Sequence, residues 1–297
     1  MGARVLLVVG GTGRLGARVG SRLARRGDVR GLSRSEGADR KLRELGIEDI
    51  SRADLDRPET LSAALRGIRV VFLLTPFSKE QAEREIALAE AAACAGAERL
   101  VKISSEAIRA AEEVPPDTLL GGKPPAQTMI VASHAAVEQR ISELPLQAVF
   151  LRPTFISHVL DGQRGAIAAG ELRLPGGDAE LSLVDPEDVA EAAVAAMLAD
   201  EVPDSPVHLT GPEALSFHAM AERIGRAKDI EVGYRPNSRV EWRDELTAAG
   251  TPADLACGVS EALELFVRRG AAPVHDGVEE LLGRSATPLD RYLREEL

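Results

Sequence analysis

Short apolar runs alternate with helix-compatible stretches through the first half of the chain. The run from Val70 to Thr75 is almost continuously apolar and ends at Pro76, which is typical of a parallel strand buried on both faces. Four other strands are predicted over 5–9, 29–34, 46–55 and 100–105, and helices over 16–26, 41–45, 59–66 and 79–95. This repeated alternation predicts an α/β fold with a doubly wound parallel sheet, a Rossmann fold.

The pattern lapses between Ala111 and Thr128, where paired prolines and glycines predict a long loop. Beyond it, strands are predicted over 147–153, 181–184 and 207–210, and helices over 127–143, 186–198, 216–227, 242–249 and 252–269. We therefore predict a Rossmann domain over residues 1–156, rejoined by 179–210. Residues 157–178 and 211–297 are predicted to form a smaller, mostly helical substrate lobe.

Composition narrows the class of partner. The 297 residues carry a formal charge of −11, which argues against nucleic-acid binding because that needs Lys and Arg to neutralise phosphates. The sequence shows neither a signal peptide nor a membrane span, so a cytoplasmic protein is expected. Cys94 and Cys257 are predicted to be buried free thiols. The expected partner is a small molecule, and a homodimer is an open alternative.

A glycine-rich turn follows the first strand, with the spacing Gly10-x-x-Gly13-x-x-Gly16. Small residues between a strand and a helix let the backbone approach a pyrophosphate, which then meets the free N–H groups of the helix. A P-loop is excluded because its Lys-Ser/Thr pair is missing. The spacing, with Thr12 inside the turn, resembles that of the short-chain dehydrogenase superfamily and predicts a bound dinucleotide, with Thr12 and Leu15 among the residues expected to bind it.

Two arginines favour NADPH over NAD. Arg34 stands where an acidic residue would bind the 2′-hydroxyl of NAD, and Arg14 lies in the glycine turn. A pair of guanidinium groups suits a 2′-phosphate in charge and geometry. The alternative is that both are ordinary surface arginines.

The superfamily resemblance implies roles for other residues near the sheet edge. It places Asp54 and Leu55, at the end of the third predicted strand, against the adenine. Thr75 and Ser104 end the fourth and fifth strands, at the edge where open α/β sheets bind ligands. We expect these two to line the floor under the ribose and nicotinamide, although ordinary strand termination would also account for them.

The catalytic Tyr-x-x-x-Lys motif of most short-chain dehydrogenases is absent, because Ser238 and Glu296 follow Tyr234 and Tyr292 at that spacing. The segments His134-x-x-x-Glu138 and Leu151-Arg-Pro153 instead resemble the NmrA-like, atypical short-chain family. In that comparison His134 stands in the place of the lysine. That family contains NADPH-dependent quinone reductases and NADP-sensing regulators.

These observations predict an NADPH-dependent oxidoreductase that passes hydride to a quinone-like or conjugated carbonyl acceptor. His134 is the candidate catalytic residue, and the alternative is a helix-packing histidine bonded to the backbone or to Glu138. Phe155 is predicted to flank the substrate, or else to belong to the core. No metal site is expected, because the remaining histidines lack ligand spacing. The open functional alternatives are a non-catalytic NADP(H)-sensing regulator with a protein partner and a tailoring reductase of a specialised metabolite.

Overall fold

The computed structural model describes residues 5–115, 117–201, 204–270 and 272–297. Pro116, part of the predicted long loop, lies outside the described residues. The strands are β1 (Val5–Val8), β2 (Val29–Ser33), β3 (Asp49–Arg52), β4 (Ile68–Leu73), β5 (Arg99–Ile103), β6 (Gln147–Pro153), β7 (Glu171–Leu172), β8 (Glu180–Leu181), β9 (Val207–Leu209), β10 (Leu215–Ser216) and β11 (Gly233–Tyr234).

The α-helices alternate with these strands in the first half and dominate the end of the chain. They are α1 (Arg14–Ala24), α2 (Glu36–Glu44), α3 (Leu61–Ala64), α4 (Gln81–Cys94), α5 (Ala107–Glu113), α6 (Met129–Ser142), α7 (Arg164–Ala168), α8 (Pro186–Leu198), α9 (Phe217–Lys228), α10 (Arg239–Ala248), α11 (Ala253–Arg269), α12 (Gly277–Leu282) and α13 (Leu289–Glu295).

Seven strands form one parallel sheet in the order β3-β2-β1-β4-β5-β6-β9. Successive side chains of β1 enter cores on opposite faces: Leu6 and Val8 pack on the side of α1 and α8, and Leu7 packs on the side of α3, α4 and α6. The predicted fold class, a doubly wound parallel sheet with a mostly helical C-terminal part, is confirmed.

The C-terminal part has a third core, centred on Phe217, Trp242 and Tyr292. Strand β9 joins the main sheet from late in the chain, and α12 also packs on that sheet through Val278. The division into two domains stays a prediction, and α12 shows that the predicted smaller lobe contributes to the Rossmann core.

Several local predictions were wrong in their bounds. β3 ends at Arg52 instead of residue 55, and α2 begins at Glu36 instead of residue 41 because Ser35 caps it by accepting from Ala38 N–H. Part of the predicted long loop is the end of helix α5. The prediction of two buried thiols was also wrong: both cysteines are free, but Cys94 is exposed at the end of α4 and Cys257 is half-buried.

Candidate cofactor and active site

The glycine turn packs tightly against its neighbours at two of its three motif positions. A Cβ on Gly10, whose φ is +79°, would lie 2.1 Å from the carbonyl oxygen of Leu74. A Cβ on Gly16 would lie 2.0 Å from the carbonyl oxygen of Gly10. Both are far inside van der Waals contact, so the fold itself requires these two glycines.

Gly13 is different, because its exposed backbone has room for a side chain. A Cβ there would meet only the carbonyl oxygen of Gly10, at an ordinary 3.4 Å. Gly13 is the N-cap of α1, no side chain caps the helix, and its first turn carries no acidic residue. The absence of a side chain therefore leaves space over an uncapped helix N-terminus, which suits the pyrophosphate of a dinucleotide.

Thr12 and Leu15, the other two residues of the turn discussed for the pyrophosphate, differ in exposure. Thr12 is exposed beside Gly13. Leu15 is buried, with 6% of its surface exposed, and packs into the core beneath α1. Leu15 can therefore offer a ligand its backbone but not its side chain.

The two arginines predicted to share a 2′-phosphate are in different situations. Arg34 follows β2, is exposed and makes no ion pair or hydrogen bond within the described ranges. Arg14 pairs instead with Asp161, at 2.5 Å between Nη1 and Oδ2. Tyr292 of α13 donates to the same carboxylate at 2.9 Å. The structure therefore leaves Arg34 available and engages Arg14 with the C-terminal part.

The predicted adenine residues lie in a turn after β3. Asp54 accepts a hydrogen bond from the backbone N–H of Asp56 at 3.1 Å, and its own N–H donates to Thr60 Oγ1. Leu55 is partly buried against the core on the α3 and α4 side. Both residues follow the end of a sheet strand, where a ligand can reach them, but Asp54 already has a local partner.

A buried ion pair lies beneath Thr75, the residue predicted to line the floor of the site. The Thr75 hydroxyl donates to Glu85 Oε1 at 2.7 Å. Lys102 Nζ lies 2.8 Å from Glu85 Oε2, and both side chains are completely buried. Lys102 also donates to the Ile103 carbonyl at 2.7 Å. Such a pair is tolerable inside a protein only because each charged group has these partners.

Ser104, the other predicted floor residue, joins a second ion pair. Its hydroxyl donates to Glu138 Oε1, and Arg152 Nη2 lies 2.6 Å from Glu138 Oε2. Helix α6 supplies Glu138 and strand β6 supplies Arg152. Thr75 and Ser104 thus both point hydroxyl groups into carboxylates at the carboxyl ends of neighbouring strands β4 and β5.

His134, the candidate catalytic residue, lies on α6 beside both ion pairs. Its Nδ1 is buried without a hydrogen-bond partner in the described parts of the chain. Burial of the ring, together with the positive charges of Lys102 and Arg152, holds the pKa of His134 well below its ordinary range. The imidazole is therefore uncharged near neutral pH. Among the described residues, the alternative bond from His134 to Glu138 is not seen; Ser104 and Arg152 donate to that carboxylate.

Gln81 connects His134's own helix to the first ion pair. Ser133 Oγ donates to Gln81 Oε1, and Gln81 Nε2 donates to Glu85 Oε1, both at 3.3 Å. Sequence reasoning missed Glu85, Lys102 and the pairing of Arg152. One signal was present, namely a lysine between the apolar residues Val101 and Ile103 of a strand predicted to be buried.

Phe155 packs edge-on against Phe266 of α11, with ring centroids 5.4 Å apart. It is half-buried and contacts the C-terminal core. The contact with Phe266 explains why part of the ring is buried. The role of Phe155 beside a substrate stays a prediction.

The fold and the glycine turn define a Rossmann-type dinucleotide-binding protein. The chain belongs to the NAD(P)H-binding family, which it matches over residues 10–200. NmrA, in a double variant, is among the solved structures with this fold, with a TM-score of 0.70 at 20% identity over 100% of this chain and 96% of that chain. The family match confirms the predicted class of nicotinamide-dinucleotide-binding proteins, and the structural match shows that the NmrA-like resemblance extends to the fold.

Two relatives match nearly end to end. A (4-alkanoyl-5-oxo-2,5-dihydrofuran-3-yl)methyl phosphate reductase from Streptomyces griseus is 32% identical, covering 96% of this chain and 95% of the relative. An NAD(P)H azoreductase from Xenophilus azovorans is 30% identical, covering 98% and 97%.

Two solved structures of oxidoreductases share the fold at lower identity. Triphenylmethane reductase from Citrobacter sp., complexed with NADP(H), has a TM-score of 0.81 at 18% identity over 99% of this chain and all of that one. The quinone oxidoreductase QOR2 from Escherichia coli, complexed with NADPH, has a TM-score of 0.81 at 19% identity over 97% of this chain and 98% of that one.

None of the helices in the described parts of the chain combines the length and the apolar character that crossing a membrane requires.

Proposed function

We propose that this protein is an NADPH-dependent reductase that transfers hydride to a quinone-like or conjugated carbonyl acceptor without a Tyr-x-x-x-Lys dyad. The observation that carries the proposal is one continuous arrangement at the sheet edge. Gly10, in the turn before the uncapped N-terminus of α1, lies against the Leu74 carbonyl. Thr75, which follows Leu74 in the chain, donates to Glu85 in the buried network. The uncharged His134 lies beside that network.

The residues at this edge fit a dinucleotide. The backbone around Gly10, Gly13 and Gly16, with Thr12 and Leu15, would hold the pyrophosphate. Arg34 would hold the 2′-phosphate, and Arg14 would join it only by leaving Asp161. Asp54 and Leu55 would flank the adenine, and Thr75 and Ser104 would lie under the ribose and nicotinamide.

The bound dinucleotide would supply the hydride, and the protein's task is to position the acceptor and exclude competing reactions. The imidazole of His134 would form a hydrogen bond to the acceptor oxygen. Because the ring is uncharged, it would not place a full positive charge beside the acceptor. Phe155 would contact the flat face of the acceptor. Because water can supply the proton after hydride transfer, this chemistry does not need the missing tyrosine.

Several relatives support this choice of cofactor and acceptor. The structural neighbours complexed with NADP(H) and NADPH favour NADPH over NAD. The name of the Streptomyces relative describes a dihydrofuran ring bearing oxo and alkanoyl groups, which is a conjugated carbonyl compound. We also propose a cytoplasmic location, where free thiols such as Cys94 stay reduced.

The test is an absorbance assay of NADPH oxidation against a panel of simple quinones and conjugated enones. We expect turnover with at least one member, and slower turnover with NADH. Tight NADP binding without oxidation of NADPH by any member would overturn the reductase and favour the sensing regulator.

A tailoring reductase of a specialised metabolite is the second candidate, and the 32% identity to the Streptomyces enzyme favours it. A comparison of kcat/KM for an alkanoyl-substituted butenolide phosphate with that for a simple quinone would separate the two. A much higher value for the butenolide would support the tailoring enzyme.

A further inference from the structure

Three residues that are far apart in the sequence meet beside the edge strand of the sheet. Glu106 is the N-cap of α5, His208 lies in the middle of β9, and His275 precedes α12. The carboxylate of Glu106 is completely buried, whereas about a fifth of each histidine side chain is exposed. These residues take no part in the proposed reductase site.

The geometry brings one ligand atom of each side chain to a common centre. His208 Nδ1 is hydrogen-bonded directly to Glu106 Oε2, and His275 Nε2 lies 3.7 Å from Glu106 Oε1. One nitrogen from each ring and one carboxylate oxygen all lie within 4.8 Å of one another. Ligand atoms bound at about 2.1 Å around one tetrahedral ion lie about 3.4 Å apart, so modest side-chain rotations would close this set.

The hydrogen bonds define which atoms can bind a cation. Arg109 Nη1 lies 3.2 Å from His275 Nε2. Because a guanidinium group only donates, that nitrogen must carry its lone pair. That lone pair lies 3.7 Å from Glu106 Oε1, and a cation binding there would displace the Arg109 hydrogen bond. Glu106 only accepts, so His208 Nδ1 carries a proton in this structure; binding a cation through Nδ1 would move that proton to Nε2, the other tautomer of the neutral ring.

Two arginines oppose a cation here, and one acidic residue can hold both of them. Arg269 Nη1 lies 3.4 Å from Glu106 Oε1 and 3.5 Å from Glu113 Oε2. Arg109 already pairs with Glu113 through Nε at 2.7 Å. Glu113 can therefore keep its ion pairs with both arginines when a cation binds Glu106. The positive charges of the arginines would lower the affinity of the site for that cation.

We propose that Glu106, His208 and His275 form a structural binding site for Zn²⁺. Two imidazoles and one carboxylate are a ligand set that zinc uses in proteins, with a water completing the tetrahedron. The ion would tie the edge strand β9 to the start of α5 and to the segment before α12. Binding of the ion requires neither NADPH nor an acceptor. The zinc proposal can therefore be tested independently of the proposed reductase activity.

The test measures zinc bound per chain after dialysis against Zn²⁺ in the presence of a weak chelator. We expect one ion per chain and a higher thermal unfolding midpoint with zinc. Glu106→Gln and His208→Asn should lose both effects, while His218→Gln, which changes an exposed histidine elsewhere, should keep them. Circular dichroism without metal would check that each variant folds.

X-ray absorption of zinc bound to the unmodified protein decides the question even if a variant fails to fold. A first shell of two imidazoles and oxygen is expected. A sulfur ligand would place the ion at Cys94 or Cys257 and overturn the site. Absence of saturable binding, or equal stoichiometry in His208→Asn, would show that the three residues form only a hydrogen-bonded cluster.

Discussion

The glycine turn and the buried ion-pair network lie at the same edge of the sheet, but they are built in opposite ways. The turn is made of backbone, is partly exposed and comes from seven consecutive residues, 10–16. The network is made of side chains, and Lys102 and Glu85 at its centre are fully buried. Its charged members come from helices α4 and α6 and from strands β5 and β6.

This difference predicts where each region is vulnerable. A backbone cradle is sensitive to added volume, because a Cβ can occupy the ligand's place or strike the next peptide. A buried network is sensitive to lost charge, because removing one partner leaves the other without compensation in a medium of low polarity. Volume changes should therefore test the turn, and charge changes should test the network.

The largest expected effect is on the network. Lys102→Met should lower the free energy of unfolding by about 3–5 kcal/mol, because Glu85 would stay buried without its counter-charge. Lys102→Met with Glu85→Gln should recover much of this loss, since the amide can still accept from Thr75. Urea denaturation measures both, with exposed Lys79→Met as the control. A loss as small as that of Lys79→Met would contradict the importance of the pair.

The turn should respond differently at two glycines. Gly13→Val should weaken NADPH binding by about 100-fold, because its side chain would fill the space over the helix N-terminus, while changing the free energy of unfolding by only about 1 kcal/mol. Gly16→Val should lose both stability and binding, because its Cβ strikes the Gly10 carbonyl. Titration calorimetry and urea denaturation separate the two. Normal NADPH affinity in Gly13→Val would remove the pyrophosphate from this position.

A smaller effect is expected at Arg34, where a substitution should weaken NADPH binding but not NADH binding. Arg34→Asp should weaken NADPH binding by about 30-fold and leave NADH binding almost unchanged, because a charge-assisted hydrogen bond contributes about 2 kcal/mol. Arg40→Asp, an equal charge change at an exposed position of α2, is the control. Equal losses for the two dinucleotides would exclude Arg34 from the 2′-phosphate site.

The smallest effect is expected at His134. His134→Ala should lower kcat by about 10-fold, the contribution of one neutral hydrogen bond, with unchanged NADPH affinity. Because its pKa lies well below the ordinary value of about 6.5, kcat of the unmodified protein should show no step between pH 6 and pH 8. Full activity would assign His134 to packing, and a loss of 100-fold or more would indicate general acid–base catalysis instead.

The same low pKa sets the direction of the pH dependence of stability. The unfolded chain binds a proton at His134 near pH 6.5, and the folded protein does so only at lower pH. Stability is therefore lost as the pH falls below about 6.5 and is unaffected by this group above it.

Much of the scaffold around the glycine turn could be predicted because its information is local. The apolar run of β1, the spacing of Gly10, Gly13 and Gly16, and the position of Arg34 after β2 are all set by neighbouring residues. The parallel sheet followed from the same kind of periodic pattern. Errors occurred where a single polar contact moved a boundary, as when Ser35 capped α2 early.

The buried clusters of charged side chains could not be predicted in this way, because their properties depend on which charges share a buried space. No spacing rule joins Lys102 to Glu85, or Glu106 to His208 and His275. The charge state of His134 likewise depends on Lys102 and Arg152, which reach it only after β5, β6 and α6 have packed. Hydrophobic periodicity and turn chemistry thus specify the dinucleotide-binding scaffold along the chain, whereas burial and long-range ion pairs, which exist only in the folded protein, define the electrostatics beside it.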